Sequence, residues 1–191
     1  MASKYRVAII GTGRMGGLIE DEIPLGDPNK PYGHFSAYEY IEETEVIAVA
    51  NRSAERMQRF TERFGVTNTY LDYREMIEKE APDIVSISTR AEERAEVVIG
   101  VAQTGVKAIY ATKPMCRTLV QADAMIEACA RTGTILAIAC HLNWYNWYAM
   151  ARQAIADGAI GDLRSMVCHC PHSLSNIHSH SLALMLSLIH I

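Results

Sequence analysis

The chain has 191 residues, 49% hydrophobic and 21% charged, with a formal net charge of -4. That length holds one complete domain and a piece of a second. The acidic balance argues against nucleic acid or an anionic membrane surface as partner, since either selects a basic excess.

A small-molecule ligand is therefore expected. No apolar run approaches the roughly 20 residues that span a bilayer, and Met1-Ala-Ser-Lys4 leads directly into a strand pattern without a signal-peptide core. The five cysteines (Cys116, Cys129, Cys140, Cys168 and Cys170) are odd in number and irregular in spacing. Free thiols in the cytoplasm suit that pattern better than a disulfide framework.

The first apolar run, residues 6–10, reads as a strand and stops in Gly11-Thr12-Gly13-Arg14-Met15-Gly16, which opens into a helical pattern. This is the dinucleotide-binding fingerprint in its required context. Gly11 serves the tight turn, Gly13 lets the backbone approach a pyrophosphate, and Gly16 permits close packing of helix on strand. Free N–H groups at the helix start would receive the phosphates. The whole loop, Thr12, Arg14 and Met15 included, is a candidate cofactor site.

Next, Ile23-Pro24-Leu25-Gly26-Asp27-Pro28-Asn29-Lys30-Pro31-Tyr32-Gly33 packs three prolines and two glycines into one segment and reads as an insertion after the first helix. A surface loop is expected there, although a loop so near a phosphate site can also act as a lid. The insertion explains why Asn51 lies 35 residues beyond Gly16, where about 20 separate the glycines from the ribose position in the usual motif.

Further strands are expected over 46–50, 83–88, 108–111 and 135–139, with helices over 54–64, 73–80, 91–104 and 119–132. Ser53 can cap the second helix, and Gly65, Gly105 and Gly133 stand where glycines end helices. The alternation implies βα units around a doubly wound parallel sheet, a Rossmann fold of the α/β class. From Trp144 the texture changes. Trp144, Tyr145, Trp147 and Tyr148 lead a helix to Ala156, and residues 163–168 are strand-like. Aromatics so spaced suit a core or an interface. The domains are therefore expected at 1–142, dinucleotide-binding, and 143–185, the start of a second, α+β domain.

These landmarks together resemble the glucose-fructose oxidoreductase / inositol dehydrogenase (Gfo/Idh/MocA) family of nicotinamide-dependent oxidoreductases. The resemblance runs from about Arg6 to at least Met166. It rests on the glycine loop, Ala48-Val-Ala-Asn51-Arg52, Tyr70-Leu-Asp72-Tyr73, Pro82-Asp-Ile-Val-Ser-Ile-Ser-Thr89, Thr112-Lys113-Pro114 and Ala154-Ile-Ala-Asp-Gly158-Ala-Ile-Gly161. The resemblance implies hydride transfer between nicotinamide and a secondary hydroxyl of a sugar, cyclitol or related polyol, by a full-length protein that is a homo-oligomer.

The family's Glu-Lys-Pro stands here as Thr112-Lys113-Pro114, so the resemblance makes Lys113 the residue between nicotinamide and substrate hydroxyl. The family's Asp-x-x-x-His aligns with Asn176 and His180. His180 then becomes the general base, with Asn176 in the aspartate's place and His178 competing for the role. The departures at Thr112 and Asn176 keep a second reading open, a catalytically silent cofactor-binding sensor. A third, a dehydrogenase with a cysteine nucleophile, points to Cys116 or Cys140.

At the end of the second strand, Asn51-Arg52-Ser53 is neutral and then basic. An acidic residue there would bind the ribose hydroxyl and repel a 2′-phosphate, so NAD(P) is expected with NADP favoured over NAD. Thr89 directly follows the strand over 83–88 and completes the candidate cofactor set. Cys168-His169-Cys170-Pro171-His172 with His178 and His180 raises zinc, but the spacings match no zinc pattern and no metal is expected. The last six residues, Leu186-Ser-Leu-Ile-His-Ile191, read as a translated transposon end, which would close the native frame near Met185; the alternative is an apolar helix over 181–188. With most of the second domain missing, no turnover is expected of these residues alone.

Overall fold

In a computed structural model, residues 3–28, 30–169 and 178–189 are described. Two compact units divide the chain at residues 138/139. The first holds a six-stranded parallel sheet in the order β3-β2-β1-β4-β5-β6. Its strands are β1 (Tyr5–Ile10), β2 (Thr44–Ala50), β3 (Thr69–Tyr70), β4 (Ile84–Ile87), β5 (Ala108–Thr112) and β6 (Ile135–Ala139). The helices are α1 (His34–Glu39), α2 (Ala54–Phe64), α3 (Tyr73–Glu80), α4 (Ala91–Ala102) and α5 (Leu119–Thr132).

Both sheet faces are covered, and the central strands are accordingly apolar over most of their length, Val7 to Ile10 of β1 and Val46 to Ala50 of β2 among them. The period of two sorts them. Ala8, Ile10, Ala48, Ala50, Val85 and Ile87 join Met76 of α3, Val98 of α4 and Met125 of α5 in one core. Ile9 and Val49 turn the other way, onto Phe35 of α1 and Phe60 of α2. Phe60 is completely buried, which contributes roughly 1.5–3 kcal/mol. Local caps set the helix ends: Ser53 Oγ accepts the Arg56 amide at the start of α2, and left-handed glycines, Gly65 and Gly133, close α2 and α5.

The expected helix after the glycine loop is interrupted. Residues 18–22 form a short 3-10 helix (Leu18–Glu22), then the chain leaves the helical path through Pro24, Pro28 and Pro31, none of which has an amide to donate. The helix resumes as α1. The His34 amide donates to the Met15 carbonyl and the Phe35 amide to the Gly16 carbonyl, both at 2.9 Å. These are the four-residue helical bonds of a chain in which residues 18–32 are absent.

The insertion therefore lies inside the first helix, between Gly17 and Gly33, rather than after it. Leaving out those 15 residues shortens the Gly16 to Asn51 separation from 35 to 20, the ordinary spacing. Glu20 closes the neck of the excursion: its Oε1 accepts the amides of Tyr32 and Gly33, each at 2.7 Å.

Under α1 lies a polar group that the apolar pattern does not announce. His34 is buried, with Nδ1 2.7 Å from Ser86 Oγ on β4. Tyr38 also bonds Ser86, and burial pushes its phenol up to about 12. The His34 ring lies 5.1 Å from that of Tyr110 on β5, and its Nε2 has no hydrogen-bond partner. Burial, with the Arg94 charge adding to it, pushes the imidazole down to about 4.

The second unit contains a 3-10 helix (His141–Trp144), α6 (Asn146–Ala156) and α7 (His178–Ile189). The strand expected over 163–168 does not form: the segment is largely exposed, and among the described residues of this unit there is no strand to complete its ladder. Trp144 and Trp147 are exposed rather than core residues. Among the described residues, no helix is long and apolar enough to cross a membrane.

Candidate functional site

Strand order reverses at β1, between β2 and β4, and the candidate residues collect at the carboxyl ends of these strands, where open α/β sheets bind ligands. Gly11 has φ +101°, a conformation that L side chains avoid. Its amide donates to Ala50 and its carbonyl accepts from Ser88 Oγ at 2.6 Å, so β1, β2 and β4 are joined at this turn. A Cβ at Gly16 would collide with the Gly11 carbonyl oxygen, whereas one at Gly13 would meet nothing within 4 Å. The loop is thus tight where it folds on itself and open at Gly13.

A cleft of about 470 Å³ adjoins that opening. Gly11, Gly13, Asn51, Arg52, Ser53 and Thr89 line it, as the motif implies, together with Arg56, Arg74, Arg90, Glu93 and Glu96. Thr12 is buried beneath the loop. Asn51 uses both ends of its amide: Nδ2 donates to Thr12 Oγ1 at 2.8 Å and Oδ1 accepts the Ser53 amide at 2.9 Å. Asn51 therefore acts as a brace between β2 and the glycine loop, and its carbonyl oxygen is already engaged. Arg14 is exposed, 2.7 Å from Glu22, and Met15 contributes its carbonyl to the resumed helix. Arg52 pairs with Glu93 across the cleft.

Lys113 follows the last residue of β5, half-buried, in a cis peptide bond with Pro114. Thr112 beside it is buried. One residue essential to this corner escaped the motif reading. Arg94, in the first turn of α4, is 3% exposed and forks to the carbonyls of Thr89 and Pro114. It ties the loop after β4 to the loop that carries Lys113. Burial lowers its guanidinium to about 10, so it remains charged at neutral pH. The signal was a charge on the apolar face of α4, among Ala95, Val97, Val98 and Val101; such a position favours a buried, partnered cation.

In the second unit, His180 is buried in the first turn of α7, its ring 4.7 Å from that of His141. Asn176, Cys170, Pro171 and His172 lie outside the described residues. Among the described residues no three potential metal ligands converge. Cys116 Sγ donates to the Thr118 carbonyl at 3.2 Å. A larger groove runs between α3 and α4 from Arg74 and Glu96, which it shares with the cleft, to Pro82, Gly105 and Val106 at the amino ends of the strands.

The glycine loop, the cleft and the brace fit an NAD(P) diphosphate and ribose, because the open side of Gly13 leaves room for a ligand against the backbone. Comparison with known proteins agrees. Residues 5–140 match the family GFO_IDH_MocA, described as an oxidoreductase family with an NAD-binding Rossmann fold. The chain is 34% identical over 128 residues to D-apiose dehydrogenase of Paraburkholderia graminis, covering 67% of this chain and 34% of that protein. It is 24% identical over 156 residues to myo-inositol 2-dehydrogenase of Thermotoga maritima, covering 82% and 42%. A solved structure of a probable dehydrogenase from Thermotoga maritima superposes with a TM-score of 0.74 at 20% identity, over 97% of this chain and 55% of that one. The chain spans between a third and a half of the two curated relatives. On the match that covers most of its length, this chain belongs to the Gfo/Idh/MocA family of NAD-binding Rossmann oxidoreductases.

Proposed function

We propose that the chain is the nucleotide-binding part of an NAD(P)-dependent oxidoreductase acting on a secondary hydroxyl of a sugar, cyclitol or related polyol. The observation that carries this reading is a glycine loop open at Gly13 and an arginine-lined cleft at the carboxyl ends of the strands, with the Lys113 corner tied to Thr89 of that cleft through Arg94. When bound, the dinucleotide supplies the hydride donor or acceptor at its nicotinamide. The amides of the loop from Gly13 to Gly16 would hold the diphosphate, and the cleft between Asn51 and Thr89 the adenosine. Lys113 orients the reacting hydroxyl and assists its proton transfer, held in place through the Pro114 carbonyl by Arg94. His180 is the proposed general base, with Asn176 at the sequence position that the family's motif gives to an aspartate.

NADP is the proposed cofactor in preference to NAD. The support is that β2 leads into a neutral Asn51 whose side chain braces Thr12 and Ser53, and that Arg52 and Arg56 line the same cleft. The segment from 143 to 185 is assigned to the beginning of a substrate domain through which the full-length protein forms homo-oligomers. The thiols Cys116, Cys129 and Cys168, none in a disulfide, suit the cytoplasm.

The test is to assay the full-length protein against a polyol panel while following reduced-nicotinamide absorbance. Lys113→Met should lower kcat by about 100-fold or more and leave the NADPH dissociation constant within about twofold. Undiminished turnover by that variant overturns the assignment of Lys113. Tight cofactor binding without turnover on any substrate instead identifies a sensor.

A further inference from the structure

We propose that Glu93 is a specificity-determining residue that competes with the cofactor's 2′-phosphate for Arg52. This inference rests on the reading of the cleft as an NADP site and adds to it the group that sets how strongly NADP is preferred. Arg52 follows β2 and Glu93 stands in the first turn of α4, 41 positions later in sequence, yet the two form an ion pair across the cleft. Ser53 and Arg56 line the same end. Among the described residues Arg56 has no ion pair. A carboxylate thus already occupies the guanidinium nearest the end of β2, where the ribose is expected.

The energetics favour exchange. The Arg52 side chain is 77% exposed and that of Glu93 39%, so water screens their attraction and the pair is weak. A phosphate dianion offers more charge and three acceptor oxygens, and a guanidinium binds it with two parallel hydrogen bonds. Arg52 exchanges Glu93 for the phosphate, while Arg56 and the Ser53 hydroxyl complete the pocket. After the exchange, the Glu93 carboxylate remains nearby and repels the new anion. Glu93 therefore lowers affinity for the phosphorylated nucleotide twice over, first by holding its ligand and then by its own charge. NADH, which carries no 2′-phosphate, does not disturb the pair.

The experiment titrates the chain with NADPH and with NADH, and with 2′,5′-ADP and 5′-AMP as probes lacking nicotinamide. The proteins are the parent, Glu93→Gln, Arg52→Gln, the double variant, and Glu127→Gln as a control for loss of a carboxylate outside the cleft. Glu93→Gln should tighten NADPH and 2′,5′-ADP by about 3- to 10-fold and change NADH and 5′-AMP by less than about twofold. The gain should disappear in the Arg52→Gln background and be absent in Glu127→Gln. Equal tightening of both nucleotides, an unchanged NADPH constant, weaker NADH binding, or a gain that survives without Arg52 overturns the competition. An NADPH to NADH preference that Arg52→Gln leaves intact overturns instead the underlying assignment of Arg52 to the phosphate. If neither nucleotide binds the parent, both fall together.

Discussion

The amide of His34 donates to the carbonyl of Met15 at 2.9 Å, although 19 positions separate them in sequence. With the neighbouring bond from Phe35 to Gly16, it carries one helix across a 15-residue excursion. A Cβ built on Gly33 would lie 2.8 Å from the Gly17 Cα, so the two ends of the excursion are in backbone contact. This contact returns the phosphate loop to ordinary helical support even though its own 3-10 turn is short.

Joining Gly17 directly to Gly33 should therefore leave a folded chain that binds nucleotide. The loss of buried Ile19 should cost about 2 kcal/mol, read from urea unfolding. By contrast, Gly33→Ala in the uncut chain should destabilise by about 1–3 kcal/mol, because the neighbour it meets is backbone. A deletion variant with no cooperative unfolding transition would contradict the continuity of the helix.

His34 makes stability depend on pH in a defined window. Its value falls from 6.5 to about 4 on folding, so between these limits the unfolded chain binds a proton that the folded chain refuses. Stability should then decline as pH falls from about 6.5 to about 4, by up to about 3 kcal/mol. His34→Gln should remove most of that slope in unfolding experiments at pH 7 and pH 4.5. Parallel curves for parent and variant would show that the imidazole is not held neutral.

Arg94 carries a charge in the interior and satisfies two carbonyls with one planar group. A lysine offers a single point of donation, so Arg94→Lys should leave a buried acceptor unpaired and destabilise by about 1–3 kcal/mol. In the full-length protein the same change should lower the kcat of the proposed reaction more than it raises KM, since the loop bearing Lys113 loses its tie to Thr89. A rise in KM alone would assign Arg94 to binding.

Asn51→Asp tests cofactor choice from the end of β2, beside Arg52. The carboxylate can still accept the Ser53 amide and the Thr12 hydroxyl, so the brace should survive. The added negative charge should weaken NADPH about 10-fold more than NADH. Equal losses for both nucleotides would mean that the ribose 2′ position lies elsewhere.

Much of the sheet was legible because its signals are local. Strand β6 and helices α2, α3 and α5 begin and end where the sequence pattern sets them, at residues such as Ser53, Gly65 and Gly133 that terminate elements by their own backbone chemistry. Helix α1 was hidden because its first bonds reach back across the insertion. The two residues of β3 are too few for a periodicity to register. The strand expected over 163–168 requires a neighbour that the local sequence cannot supply. At the site, the glycines and Lys113 sit in motifs, whereas Arg94 and Glu93 act through contacts 20 and 41 positions away.

The most direct test of the central claim is equilibrium titration of this chain with NADPH, followed by nicotinamide fluorescence, beside the Gly16→Val variant. One saturable site per parent chain is expected, and no saturable site in the variant, where the side chain would strike the Gly11 carbonyl. A parent chain that unfolds cooperatively yet binds neither NADPH nor NADH would contradict the account.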